Sequence, residues 1–111
     1  MALKPVTFHG DSLDQIREFS LEARREAGHE LYQVQAGANP TDWKPMSTIG
    51  IGVREMRIRD ETGAYRIIYL ANLPEAVHVL HAFEKKSRKT PQRELDIASA
   101  RLRQLKRGSR R

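Results

Sequence analysis

Residues 64–71, Ala-Tyr-Arg-Ile-Ile-Tyr-Leu-Ala, constrain the fold of this chain more than any other segment. The run is nearly all apolar, with turn-forming residues on either side. It therefore predicts a central strand buried on both faces. Arg66 is its one charge. An arginine there is costly unless it is paired or faces a functional cleft. Upstream, residues 53–59 alternate, with Met56 and Ile58 on one side and Val53, Glu55, Arg57 and Arg59 on the other. Asp60-Glu61-Thr62-Gly63 joins the two runs as a hairpin turn, with glycine available for positive φ. Register that sets Arg66 beside Arg57 would put two cations on one face, a cost that a bound phosphate would relieve. The competing reading is an ion pair from Arg66 to Glu55 or to an acidic residue of the first helix.

The rest of the pattern supplies flanking elements. Residues 3–9 predict a first strand and 76–83 a last one. Leu13, Ile16, Phe19, Ala23, Ala27, Leu31 and Val34 recur in steps of three and four, the spacing of an amphipathic helix. Ser12 and Gln15 form a capping-box pattern at its start, and Gly28 is expected to split it into helices over 12–26 and 29–36. Its acidic residues Asp14, Glu18, Glu22, Glu26 and Glu30 are expected to face away from any polyanion. Residues 37–52, broken by Gly37, Pro40, Pro45, Gly50 and Gly52, read as a loop whose Trp43 packs onto the core. Thr90 as N-cap and Pro91 as first helical residue open a C-terminal helix, striped by Leu95, Ala98, Leu102 and Leu105. The order β-α-α-β-β-β-α predicts an α+β domain, with a mostly antiparallel sheet of about four strands packed against an N-terminal helical hairpin and a C-terminal helix. A single domain is expected over 1–107, with 108–111 a frayed basic tail.

Charge separates the two ends. Residues 84–111 hold eleven Lys/Arg against three Asp/Glu, while the preceding 83 residues hold nine against eleven. The basic cluster of Lys85, Lys86, Arg88 and Lys89 is the electrostatic footprint of a polyanion binder. Cysteine is absent, so disulfides and thiolate metal sites are excluded. No apolar run approaches the roughly 18 residues of a membrane span, and no signal-peptide core is present, so a cytoplasmic protein is expected. A spacing of three predicts His78 and His81 on opposite faces of a strand, wrong for shared metal ligation. His9 and His29 show no obvious partners. No metal site and no cofactor are expected.

Several strings together carry a resemblance. Arg-Glu-Met-Arg-Ile-Arg, Gly-Ala-Tyr-Arg-Ile-Ile-Tyr, Val-Leu-His-Ala-Phe-Glu-Lys-Lys-Ser-Arg-Lys-Thr-Pro and Glu-Leu-Asp-Ile-Ala-Ser-Ala-Arg-Leu resemble the RelE/HigB-type toxins of type II toxin–antitoxin modules. The similarity is closest to the phage-derived HigB-like branch of the RelE/ParE superfamily, and it runs from about Arg54 to Leu105. The resemblance implies a RelE/ParE-like domain acting as a metal-independent, ribosome-dependent mRNA endonuclease that inhibits translation. In that reaction a ribose 2′-hydroxyl attacks the adjacent phosphate and leaves a 2′,3′-cyclic phosphate. The implied partners are a cognate antitoxin, the ribosome with its RNA, and mRNA. By the same resemblance Arg57, Arg66, Lys85 and Lys86 are the catalytic candidates. Arg66 would stabilise the phosphate, and Lys86 is favoured for proton transfer because lysine, unlike arginine, can give up its proton near neutrality. Arg54, Arg59, Phe83, Arg88, Lys89 and Thr90 are the RNA-binding candidates, with Phe83 or an arginine plane taking over base stacking. This chain departs from many RelE-type enzymes in having no Tyr or His after His81. Two alternatives rank below: a non-catalytic toxin that binds a target such as gyrase, and a simple nucleic-acid-binding module.

Overall fold

The computed structural model describes residues 2–108. Its elements are β1 (Val6–Phe8), α1 (Ser12–Arg17), α2 (Leu21–Gln35), β2 (Trp43–Pro45), β3 (Val53–Asp60), β4 (Gly63–Leu70), β5 (Val77–Lys85) and α3 (Gln92–Gly108). The five strands form one sheet in the order β1-β5-β4-β3-β2. β1 runs parallel to β5, and every other pair is antiparallel. The apolar run at 64–71 is indeed the central strand, because β4 alone has two long neighbours and a helix layer over each face. The α+β expectation therefore stands, with one strand more than expected.

Each sheet face closes a separate core. Ile16, Phe19, Ala23, Ala27, Leu31 and Val34 of the N-terminal helices pack on Met56, Ile58, Tyr65, Ile67 and Tyr69. On the other face Ala98 and Leu102 of α3 pack on Val53, Ile68, Leu70, Leu80 and Phe83. The pleat explains the division, since Met56 and Ile58 point one way while Val53 and Glu55 point the other. Tyr65 and Tyr69 are thus core residues, and Arg66 between them faces the α3 side. No helix of the described residues is long and apolar enough to cross a membrane.

Five local expectations are corrected. The helical hairpin breaks at Ser20, not at Gly28. Ser20 Oγ accepts the Ala23 N–H at 3.1 Å and donates to the Asp60 carboxylate, so it caps α2 and ties it to the β3–β4 turn. Gly28 lies inside α2, where nothing approaches the position a Cβ would occupy. At α1 the cap is Asp11, while Ser12 is buried with its hydroxyl directed at the Val79 carbonyl. The expected loop at 37–52 contains β2, which pairs Trp43 with Met56 and adds an edge to the sheet. The β3–β4 turn does not draw on a positive φ at Gly63; Asp60 Oδ1 accepts from the Thr62 N–H, the Thr62 hydroxyl and the Gly63 N–H instead. At the other end α3 runs through Gly108, the first residue of the expected tail, and residues 109–111 lie outside the described residues.

A β-bulge overturns the histidine expectation. Ile68 pairs with His81 and Tyr69 with Val79, so Leu80 has no partner in the ladder. The extra residue resets the alternation. Val77 and Val79 enter the α1/α2 core, whereas Leu80 and Phe83 enter the α3 core and His81 reaches α3. His78 and His81 therefore lie on the same side. His78 has a partner on each ring nitrogen, His9 Nε2 at 2.9 Å and Glu75 Oε2 at 2.9 Å.

Burial, then the neighbouring His78 and Arg101, push the His9 pKa below its ordinary value of 6.5. Unfolded chain therefore binds a proton more readily than folded chain, and stability is lost as pH falls below about 6.5. Thermal unfolding at pH 7.5 and 5.5 should show a lower melting temperature at 5.5, with a smaller drop in His9→Gln. The carboxylates with depressed values titrate well below that window.

Gly10, with φ +55°, lies where a Cβ would collide with the Arg101 guanidinium. That guanidinium is held by Asp11 Oδ1 at 2.7 Å and the Leu80 carbonyl at 2.9 Å, so it cannot simply swing away. Gly10→Ala should cost about 2 kcal/mol from the left-handed backbone and the disturbed hydrogen bonds, measured by denaturant unfolding.

Candidate phosphate-binding cleft

A cleft of about 350 Å³ opens on the α3 side of the sheet, lined by Lys44, Met46, Glu55, Arg57, Arg66, Lys85, Arg88, Lys89, Thr90 and Leu95. Six of these ten side chains are cationic and one is anionic. The sheet supplies the floor. Arg57 and Arg66 sit directly opposite each other in the β3–β4 ladder, so the register that would bring two cations together is the one adopted. Across β4 the partner of Arg66 is Phe83, and Ala64 is paired with Lys85. The loop after β5 and the first turn of α3 form the wall.

Glu55 holds this arrangement together. It is 1% exposed, and three cations converge on its Oε1: Arg57 Nε at 3.3 Å, Arg66 Nε at 3.6 Å and Lys44 Nζ at 4.0 Å. The ion pair from Arg66 to Glu55 is formed, and Arg66 also lies opposite Arg57 among the residues that line the cleft. Glu55 offsets the repulsion between the arginines, but one carboxylate faces three cations, and net positive charge remains.

Arg66 is 6% exposed. Its Nη1 donates to the Tyr65 carbonyl at 3.1 Å, but its buried Nε has no hydrogen-bond partner, because Glu55 stands beyond hydrogen-bond range. Burial lowers the Arg66 pKa, Glu55 raises it, and Arg57 and Arg59 lower it again. An arginine so perturbed still carries its charge at neutral pH. Buried donors are nearly always satisfied, so an orphaned guanidinium N–H in a cationic cleft is donor capacity for an anion.

The remaining candidates separate. Lys85 Nζ donates to the carbonyls of Ser87 and Arg88, so its ammonium shapes the loop that carries Arg88 and Lys89. Lys86 is exposed and does not line the cleft. Arg59 is exposed beyond the arginine pair, close enough to weigh on Arg66. Arg54 shares its pleat side with Met56 and points away. Its guanidinium lies 4.0 Å over the Trp43 ring and donates to Asn39 Oδ1 at 2.8 Å. Phe83 is buried in the α3 core, with its ring stacked on His81 and no face open for a base. Thr90 lines the cleft just ahead of α3 but makes no capping hydrogen bond, and the helix begins at Gln92.

Sequence reasoning missed Lys44, hidden in the expected loop, and named Glu55 only as a partner of Arg66, not of Arg57 and Lys44 as well. Alternation alone put Glu55 on the same strand face as Arg57; its burial needed α3 and β2 in place. The acidic face of the N-terminal helices lies across the sheet from the cleft, with Asp14, Glu18, Glu22 and Glu26 exposed. Glu30 departs from that expectation. It is buried and accepts from the Thr41 N–H at 2.8 Å and the Thr41 hydroxyl at 2.6 Å.

Comparison with known protein families matches residues 14–103, most of the chain and all of the cleft, to phage-derived protein Gp49-like. The chain belongs to this family. Gp49-like proteins are toxin-like. No curated protein matches the chain. The matched span runs from α1 into α3, so both helix layers and the basic wall are part of the Gp49-like domain.

Proposed function

We propose that this Gp49-like protein is the toxin of a type II toxin–antitoxin module, a RelE/HigB-type endonuclease that cleaves mRNA on the ribosome. The observation that carries the reading is the buried Arg66 with an unpartnered Nε, opposite Arg57 in a cleft with an excess of cations. Such a site suits a phosphate whose charge grows during reaction.

Cleavage by a 2′-hydroxyl requires three things: a proton acceptor, cations for the dianionic phosphorane, and a proton donor for the 5′-oxygen. Arg57 and Arg66 lie on the floor, and fixed donors aimed at developing charge supply the largest part of such catalysis. Glu55 is the one carboxylate lining the cleft, and in this reading it takes the 2′-hydroxyl proton. A rim lysine, Lys44 or Lys89, protonates the leaving oxygen. Lys85 keeps the wall in shape, and Arg88 and Lys89 hold flanking phosphates. Lys86, outside the lining, contacts RNA further along the strand. The six cationic side chains of the lining supply the positive charge that the phosphorane requires in this metal-independent reading. The partners are a cognate antitoxin, which neutralises the toxin, and the translating ribosome.

The test is purified protein added to translating ribosomes with EDTA present, with mRNA 5′-ends mapped. New ends within translated frames, paired with 2′,3′-cyclic phosphates, are expected. Intact mRNA beside arrested growth would instead favour a non-catalytic target-binding toxin.

A further inference from the structure

Behind the cleft wall lies a chain of polar contacts that the proposed chemistry does not use. His81, 4% exposed on β5, holds Glu94 Oε1 at 2.8 Å through Nε2. Its Nδ1 is 3.2 Å from Arg101 Nη1. Arg101 in turn binds the Leu80 carbonyl at the bulge and Asp11 at the start of α1. An arginine can only donate and a carboxylate only accept, so these partners assign a neutral His81 ring with its proton on Nε2. One face of that ring stacks on Phe83 at 5.4 Å, and Phe83 is the ladder partner of Arg66.

The placement of Glu94 gives this chain its meaning. It sits in the first turn of α3, directly after the loop that carries Arg88, Lys89 and Thr90 and beside Leu95 of the cleft lining. The wall is otherwise fastened mainly by its own backbone through Lys85. The His81–Glu94 bond thus ties the sheet that bears Arg57 and Arg66 to the first turn of α3, next to the loop with the exposed Arg88 and Lys89.

We infer that His81 is a positioning residue of the phosphate cleft, acting through Glu94 to hold the first turn of α3 and the basic wall at a set distance from the Arg57–Arg66 floor. The inference rests on the endonuclease reading only for its kinetic consequence; the contact itself orders the wall whatever the cleft binds.

Two substitutions at one position separate the two ring nitrogens. The amide nitrogen of His81→Gln reaches the place of Nε2 and keeps the donor to Glu94. The shorter His81→Asn puts its amide at the place of Nδ1 and loses Glu94. With mRNA on translating ribosomes, His81→Asn should raise KM about tenfold, the worth of one charge-assisted hydrogen bond, with kcat little changed. His81→Gln should behave as wild type. Amide hydrogen exchange over residues 86–95 should quicken in His81→Asn and not in His81→Gln. Glu94→Ala breaks the same contact from the helix side and decides the matter if His81→Asn fails to fold. Equal behaviour of the Gln and Asn variants, or unchanged exchange in Glu94→Ala, overturns the inference. A wild-type protein that cleaves nothing, yet shows the exchange difference, would sink the endonuclease reading and leave the positioning role intact.

Discussion

Arg66→Ala should lose about 10²- to 10³-fold in RNA cleavage, the scale of removing one preorganised donor from a developing oxyanion. Arg66→Lys should lose nearly as much although it keeps the charge. A lysine has one nitrogen, so it cannot lie beside Glu55 and donate to the Tyr65 carbonyl as the two guanidinium nitrogens do. Stability should move the other way from intuition. Glu55 keeps Arg57 and Lys44 when Arg66 is gone, and the chain is relieved of a buried, partly unsatisfied guanidinium. Melting temperatures of Arg66→Ala and wild type should therefore agree within a few degrees, the equivalent of about 1 kcal/mol. Single-turnover cleavage beside thermal unfolding checks both halves. An active Arg66→Ala would remove the central residue of the proposed site.

Glu55→Ala should lose stability where Arg66→Ala does not, besides losing the proton acceptor of the proposed reaction. Removing one partner of a buried pair costs about 3–5 kcal/mol, and the lower figure applies here because Lys44 is half exposed to water. Arg57 and Arg66 would then face each other across the ladder with no counter-charge. The melting temperature should fall by about 10–15 °C for a chain of this size. Inorganic phosphate should restore part of that loss, because an anion entering the cleft replaces the missing carboxylate, and it should restore more in Glu55→Gln than it adds to wild type. Thermal unfolding in phosphate and in chloride at matched ionic strength reads this directly. Equal responses of variant and wild type would show that the arginine pair is no anion site. The two substitutions differ because the cluster has one anion and several cations: losing a cation eases it, and losing the anion leaves it uncompensated.

Local signals were legible where one short segment decided the outcome. The apolar run at 64–71 and the turn before it made β4 and its hairpin readable, and the spacing of Leu95, Ala98, Leu102 and Leu105 made α3 readable. Competing local signals explain the misplaced helix break. Gly28 is a weak breaker, tolerated on the solvent side of α2, whereas Ser20 gains both a helix cap and a bond to Asp60, forty residues away. β2 was hidden because three residues bearing a proline carry almost no pattern until β3 offers them a ladder.

The sequence by itself determined the α+β class, the central strand, the concentration of basic charge after residue 83 and the pairing of Arg66 with a basic partner strand. These follow from periodicity, turn chemistry and composition, which act within a few residues. Tertiary structure alone decided which candidates share the cleft. The bulge at Leu80 put His81 on the α3 side and Phe83 in the core, and Lys86, just past the end of β5, is exposed outside the cleft lining. β2 and α3 together buried Glu55 among its cations. Side-chain facing in a sheet reverses with each residue of register, so one unpaired residue redistributes a whole strand. Electrostatic partners are likewise set by distance in space, and separation along the chain says little about which charges meet.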